Sequence, residues 1–338
     1  MTVGNQTSVF VSGATGYIAQ HIIAQLLSKG YKVVGSVRSE GKGDGLAETF
    51  KNSNFSYEVV PILEKEGAFD EALKKHPEVT VFLHTASPFT YTVEDNERDI
   101  LIPAIQGTKS VLESIKKYAP QITRLVYTSS SVATGTVAEI TTPGFSGGEH
   151  TWNSTSYEDA KKDSVSAYFG SKTFAEKAAW DFVENEKPNF TLTSINPVYV
   201  FGPQNTPPKT KELNLSAAMV GDFLKLGPND DVPQMQTAYI DVRDVAKAHI
   251  IAFEKDEAQG KRFVLADCFF DGQLILDFIN NNFPELKGKL PVGKPGEYTA
   301  YGPTTLNDSN ARSILNIEYI SLEKSVVDTI KQIVHLKE

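Results

Sequence analysis

Ser8-Val9-Phe10-Val11-Ser12-Gly13-Ala14-Thr15-Gly16-Tyr17-Ile18-Ala19 is the stretch on which the fold of this chain turns. Its first five residues form a short, largely apolar run of strand character. A glycine-bounded turn follows, and Ile18, Ile22, Ile23, Leu26 and Leu27 then recur at helical spacing as far as Gly30. A second β-branched run, Tyr31 to Val37, resumes at once. Strand, glycine turn, helix and strand within about 30 residues predict a right-handed parallel βαβ unit. The expected fold is therefore α/β, a Rossmann-type doubly wound parallel sheet, and a smaller, discontinuous α/β lobe is expected beside it.

The glycines matter because they allow access. Gly13 permits the tight turn, and Gly16 lets backbone N–H groups approach a pyrophosphate at the helix N-terminus. The spacing is Gly-x-x-Gly-x-x-Ala, with Ala19 where a third glycine can stand. Gly13, Ala14, Thr15, Gly16, Tyr17 and Ile18 are thus expected to line a dinucleotide. The end of the second strand selects which one. NAD asks for an Asp or Glu there to hold the ribose hydroxyls. This chain has Ser36, Arg38 and Ser39, with Lys42 close behind. Arg38 can grip a 2′-phosphate through its planar fork and Lys42 adds charge, which points to NADP(H).

Further along, Thr80 to His84 reads as another apolar strand, ending in Thr85-Ala86-Ser87-Pro88-Phe89. Small residues at such a strand end let a cofactor lie over the backbone, as in open α/β sheets. Leu125-Val126-Tyr127 leads into the hydroxyl cluster Thr128-Ser129-Ser130-Ser131. Tyr168 and Lys172 are four residues apart on a helix that continues through Phe182, so they share one face. A free tyrosine, with a pKa near ~10, is a poor acid–base group at neutral pH. An adjacent ammonium favours its ionised form, so Lys172 is expected to bring Tyr168 closer to the working range.

Composition narrows the classes. At 338 residues, two lobes are expected rather than one core. The net charge of −9 argues against nucleic acid or an anionic membrane as partner, and no apolar run approaches the ~18 residues of a membrane helix. A single cysteine, Cys268, allows no intrachain disulfide and suggests a reducing, cytoplasmic setting. His84 reads as a core residue, and Asp241 and Asp244 read as caps at a strand-to-helix junction.

These motifs together resemble the extended short-chain dehydrogenase/reductase superfamily. The likeness is greatest to the NADPH-dependent methylglyoxal and carbonyl reductases of yeasts, relatives of the plant dihydroflavonol reductases. It is carried by Gly13 to Ala19, His84 to Phe89, Tyr168 to Lys172, Asn196-Pro197-Val198-Tyr199-Val200-Phe201-Gly202-Pro203, Tyr239 to Ala246 and Pro291 to Gly296. The resemblance implies a Ser-Tyr-Lys triad of Ser130, Tyr168 and Lys172, with Ser129 and Ser131 as alternatives for the serine. It implies that Arg38 and Lys42 hold the 2′-phosphate, that Thr85, Ala86 and Ser87 contact the cofactor, and that Pro197 and Val198 pack on the nicotinamide. Two departures stand out: Ile62 follows Pro61 where the family often has an acidic residue, and Phe169 replaces a residue that is often a small cysteine.

The expected reaction is NADPH-dependent reduction of a small carbonyl substrate, aldehyde or ketone. Phe89, Ser131, Val132, Phe169, Tyr199, Met235 and Thr237 are the candidate pocket walls, apolar enough for neutral substrates. A nucleotide-sugar epimerase or dehydratase is the rival within enzymes; it wants diphosphate-binding cations, for which Lys209, Lys211 and Lys225 are scattered candidates. A catalytically silent NADP-sensing module is the rival from another class. The cofactor domain is expected over residues 1 to about 198 with about 238–265, the strand near Ala238 returning to it. The substrate lobe takes about 199–237 and 266–338, with a loop from Pro291 to Pro303. A homodimer is compatible with the sequence.

Overall fold

The computed structural model describes residues 7–87, 93–140, 142, 144–208, 213, 215–298 and 305–336. Its strands are β1 (Ser8–Ser12), β2 (Lys32–Val37), β3 (Phe55–Val59), β4 (Val79–His84), β5 (Arg124–Thr128) and β6 (Ser146–Gly148). Then come β7 (Thr191–Pro197), β8 (Tyr199–Phe201), β9 (Gln236–Asp241), β10 (Arg262–Leu265), β11 (Cys268–Asp271) and β12 (Thr305–Asn307). The longer helices are α1 (Tyr17–Ser28), α2 (Glu40–Phe50), α3 (Ile102–Tyr118), α4 (Ser164–Glu186), α5 (Val242–Glu254), α6 (Gly272–Asn282) and α7 (Leu322–Ile333).

Seven strands form one parallel sheet in the order β3-β2-β1-β4-β5-β7-β10. A parallel sheet covered on both faces is buried on both, which is why β1 is apolar without alternation. Val9 and Val11 enter the core beneath α1 and α5, with Ile22, Leu26, Val245 and Ala248. Phe10, between them, enters the opposite core beneath α3 and α4, with Val111, Ile115, Ala175 and Ala179. Its ring stacks on Phe82 of β4 at 4.9 Å. The strand order reverses between β1 and β4, and a crevice outside their carboxyl ends follows from that reversal.

A second sheet, β11-β9-β8, carries the smaller lobe. With α6 and α7 it encloses Phe201, Phe223, Tyr239, Phe270, Ile279 and Ile330. Here the structure departs from the expected boundaries. Strand β9 does not return to the large sheet; Tyr239 is paired with Tyr199 of β8 and Cys268 of β11. The reason is packing: the Tyr239 ring is fully buried in the smaller lobe's core, and its hydroxyl donates to the Ile320 carbonyl at 2.9 Å. What returns to the large sheet is α5 and β10, the latter paired with β7 through Val264 and Asn196. A short parallel pair, β6 with β12, also ties residues 146–148 to the C-terminal part of the chain.

Charge secures the junction of the lobes. Asp241 caps α5 by accepting the Arg243 N–H at 2.8 Å, and the Arg243 side chain binds both Asp241 and Asp328 of α7 at 2.7 Å. Asp244 accepts the Ile320 N–H at 2.7 Å, and burial holds its carboxyl up at about 6. Among the described residues, no helix is long and apolar enough to cross a membrane.

Replacing Phe10 by Ala should remove about 3–5 kcal/mol of stability, because a stacked, fully buried ring leaves a cavity between rigid elements. Urea unfolding of the purified variant reads this directly, and a loss under about 1 kcal/mol would contradict the packing described.

Candidate active site

The crevice is built around the end of β1. Gly13 has φ +67°, and a Cβ there would lie 2.9 Å from the Ala86 Cα, so only glycine lets the turn pass the loop after β4. Ser12 holds that loop. Its Oγ accepts the N–H groups of Thr85 and Ala86, each at 3.1 Å, so its own proton is left for His84 Nδ1 at 2.8 Å. The Thr85 hydroxyl donates to the Ser12 carbonyl. His84 is buried and neutral, its imidazole pushed down to about 3 by burial and by the Lys172 charge.

On the other side, Ser36 fixes the turn to β2. Its Oγ accepts the Gly13 N–H at 3.0 Å, and its carbonyl accepts the Ala14 N–H at 2.9 Å. Gly16 is the N-cap of α1, and no side chain caps the helix there. Such an end, with the macrodipole behind it, suits a pyrophosphate. Arg38 and Lys42 are exposed at the start of α2, immediately beyond β2. The cradle thus fits a dinucleotide with an additional phosphate on its adenosine side.

Two of the loop residues have other work. The Tyr17 hydroxyl donates to the Gly202 carbonyl at 2.6 Å, and Ile18 packs into the core under α1. His21, one turn on, contacts the Pro203 carbonyl at 2.9 Å. Helix α1 is thereby tied to the segment that leads into the smaller lobe. Pro197 ends β7, and Val198 packs against the same core while donating its N–H to Leu265 O at 3.1 Å.

Tyr168 and Lys172 lie on α4, which Asp163 starts by accepting the N–H groups of Val165 and Ser166. Ser130 lies close enough to the Tyr168 hydroxyl to lower its pKa. Of the three serines, Ser130 is the one that acts on the phenol; Ser129 instead donates to buried Glu176 at 2.5 Å. Lys172 Nζ donates to Ser87 Oγ at 3.0 Å and lies 5.9 Å from the Tyr168 ring centre. Burial raises the phenol's pKa, Ser130 lowers it and nearby Tyr199 raises it further. The expected lowering by Lys172 is not what this arrangement delivers. Burial itself holds the Lys172 amine down to about 8, and its hydrogen bond goes to Ser87.

Ser131 and Val132 follow Ser130 in a short 3-10 turn, and Tyr199, 46% exposed, lies near enough to Tyr168 to act on its charge. The Phe169 ring meets the Tyr168 ring edge-on at 6.4 Å but is itself buried. Met235 packs partly against the smaller lobe's core, and Thr237 lies in β9 opposite Phe270. Phe89, Lys209, Lys211 and the end of the expected loop, residues 299–303, lie outside the described residues. Lys225 pairs with Asp222.

Sequence reading assigned no role to Glu176, Asn196 or Arg262. Glu176 is fully buried and ion-paired to Arg262 of β10 at 2.7 Å. Its signal was available: a carboxylate one turn beyond Lys172, flanked by the buried Ala175 and Ala179 on α4.

The model of the NAD dependent epimerase/dehydratase family matches residues 9–266. The chain is 48% identical over 340 residues to the putative NADPH-dependent methylglyoxal reductase GRP2 of Candida albicans, covering 98% of this chain and all of that one. Among solved structures, a reductase engineered to attenuate substrate inhibition in asymmetric catalysis is 60% identical, with a TM-score of 0.93 over 97% of this chain and 99% of that one. The yeast methylglyoxal/isovaleraldehyde reductase Gre2 complexed with NADPH is 45% identical, with a TM-score of 0.93 over 97% and 98%.

Buried histidines set an acid limit. His249, whose Nε2 meets the Thr128 hydroxyl at 2.7 Å, is held down to about 4 by burial. The unfolded chain takes up a proton near its ordinary ~6.5 while the folded chain does not, so stability falls as pH drops from about 6.5 towards 4. Asp244 works in the opposite direction. A His249→Gln variant isolates the histidine: the wild type should lose stability relative to it by up to about 1.4 kcal/mol per pH unit. Parallel curves of unfolding free energy against pH would contradict this.

Proposed function

The chain belongs to the NAD dependent epimerase/dehydratase family, the extended short-chain dehydrogenases/reductases, and on that premise we propose that it reduces aldehydes and ketones to alcohols with NADPH. The observation that carries this reading is the grouping of Tyr168, Ser130 and Lys172 beside the crevice of the large sheet, with the Lys172 amine 5.9 Å from the Tyr168 ring and bonded to Ser87. The relatives' action on methylglyoxal and isovaleraldehyde favours small carbonyl substrates, and asymmetric catalysis by a third favours prochiral ketones.

In this proposal Gly13 to Gly16 hold the pyrophosphate together with the backbone of Tyr17 and Ile18, whose side chains face elsewhere, and Arg38 and Lys42 hold the 2′-phosphate. Thr85, Ala86 and Ser87 border the cofactor, Lys172 holds its ribose, and Pro197 and Val198 pack on the nicotinamide. When bound, NADPH supplies the hydride for the carbonyl carbon. Tyr168 gives its phenolic proton to the carbonyl oxygen, and Ser130 orients that oxygen. A phenol whose pKa is raised by burial stays protonated through neutral pH, which suits an acid in the reducing direction. Ser131, Val132, Phe169 and Tyr199 shape the neutral pocket. The large sheet with α5 and β10 forms the cofactor domain, and the β8-β9-β11 sheet with α6 and α7 the substrate lobe. A cytoplasmic setting and a homodimer complete the proposal.

NADPH consumption followed at ~340 nm with a panel of aldehydes and ketones tests it. Tyr168→Phe should lower kcat by roughly 10²–10⁴-fold. No carbonyl-dependent oxidation by the wild type would favour an epimerase or a sensor instead. Because Lys172 is held down to about 8, kcat/KM for reduction should decline as pH rises through that value and its charge is lost.

Arg38→Ala should raise the KM for NADPH about tenfold or more and leave that for NADH little changed, since only the former carries the 2′-phosphate. Equal effects on both would remove Arg38 from the phosphate site.

A further inference from the structure

Glu176 lies two turns beyond Tyr168 and one beyond Lys172, on the same stripe of α4. Its side chain is fully buried and collects donors from four elements. Oε2 accepts from Ser129 Oγ at 2.5 Å, Asn196 Nδ2 at 2.7 Å and Arg262 Nη2 at 3.4 Å. Oε1 accepts from Arg262 Nε at 2.7 Å, Ser194 Oγ at 2.9 Å and Trp180 Nε1 at 3.2 Å. Ser129 follows β5, Ser194 and Asn196 belong to β7, Arg262 to β10 and Trp180 to α4 itself.

Asn196 is the bridge. One hydrogen of its amide goes to Glu176 and the other to the Ser130 carbonyl at 3.1 Å. The Ser129 side chain is held by Glu176, and its N–H by the Ile195 carbonyl at 2.8 Å. The residues on either side of the Ser130 N–H are therefore both anchored to this one carboxylate. On the far side, Arg262 stacks on Trp152 at 3.6 Å and donates to the carbonyls of Glu149 and Thr151. Asn153, two residues on, binds the carbonyl of Val132 and donates its N–H to that of Ala133. The turn carrying Ser130 is thus held from both ends by the Glu176–Arg262 pair.

We propose that Glu176 is a positioning residue: through Asn196 and Ser129 it sets the distance between the Ser130 hydroxyl and the Tyr168 phenol. It touches no substrate. The same helix that presents the phenol also carries the anchor of the serine, so the two catalytic groups are registered to each other along α4 rather than across the whole sheet. Misplacements of about 1 Å in such sites cost on the order of 10²-fold in rate. This inference rests on the reduction proposed above.

The test compares Glu176→Gln with wild type in NADPH-dependent aldehyde reduction. Glutamine keeps the volume but places an amide donor among donors, so the clamp loosens. The expected kcat is about 10- to 100-fold lower, with the KM for NADPH within about twofold. The alkaline midpoint of the kcat–pH profile reports the phenol in the ternary complex, whereas kcat/KM reports Lys172 of the free enzyme. That midpoint should move upward, because Ser130 no longer lowers the Tyr168 pKa. Ile279→Val, in the core of the smaller lobe, serves as a destabilised control whose profile stays in place. Should Glu176→Gln fail to fold, Asn196→Ala keeps the Glu176–Arg262 pair and must show the same upward displacement. A folded variant with wild-type kcat, or one whose kcat drops with an unmoved profile, overturns the inference alone. Absence of reduction by the wild type overturns the proposed function and this inference with it.

Discussion

The crevice of the large sheet depends on one hydroxyl. At the point where the strand order reverses, β1 and β4 lead their chains in different directions, and nothing in a parallel ladder holds the departing loops together. Ser12 does so, with two N–H groups from the β4 loop on its oxygen and its proton on His84. The pairing requires a neutral imidazole, and burial keeps it neutral. With the loop fixed there, Ala86 closes against Gly13 and Ser87 reaches the Lys172 amine. The glycine turn and the helix that bears Tyr168 and Lys172 therefore share a common reference at the end of the first strand.

From that reference the two faces of the sheet divide the labour. The face beneath α1 and α5 communicates with the smaller lobe, through Tyr17 to Gly202, His21 to Pro203 and Arg243 to Asp328. The face beneath α3 and α4 carries Tyr168, Lys172 and Glu176 on successive turns of one helix. The alternation of β1, Val9 and Val11 one way and Phe10 the other, binds both faces to one strand.

Much of this is legible in the sequence. The βαβ unit was readable because a glycine turn between two β-branched runs has few other uses, and Tyr168 and Lys172 because helical spacing puts them on one face. What escaped reading depended on contacts between distant segments. The destination of β9 is decided by where the Tyr239 ring finds apolar company, and strand character alone carries no such address. Glu176 drew no notice in the sequence; the arrival of Arg262, Asn196 and Ser129 from other elements gives its buried carboxylate partners. The relation of Lys172 to Tyr168 was less legible for a related reason: spacing along a helix fixes a face, whereas the direction of the Lys172 amine is set by Ser87.

The Glu176–Arg262 pair also imposes an order on biosynthesis. Its carboxylate is encoded 86 residues ahead of its guanidinium. Before β10 is made, settling α4 on the sheet would bury either an anion without its cation or a newly protonated carboxyl, and both are unfavourable. The strand that completes the cofactor half comes after β8 and β9 of the smaller lobe have been made. The nascent chain thus has to carry an unfinished nucleotide fold while most of the second sheet is being synthesised, and the closing of the first lobe waits on the translation of part of the other.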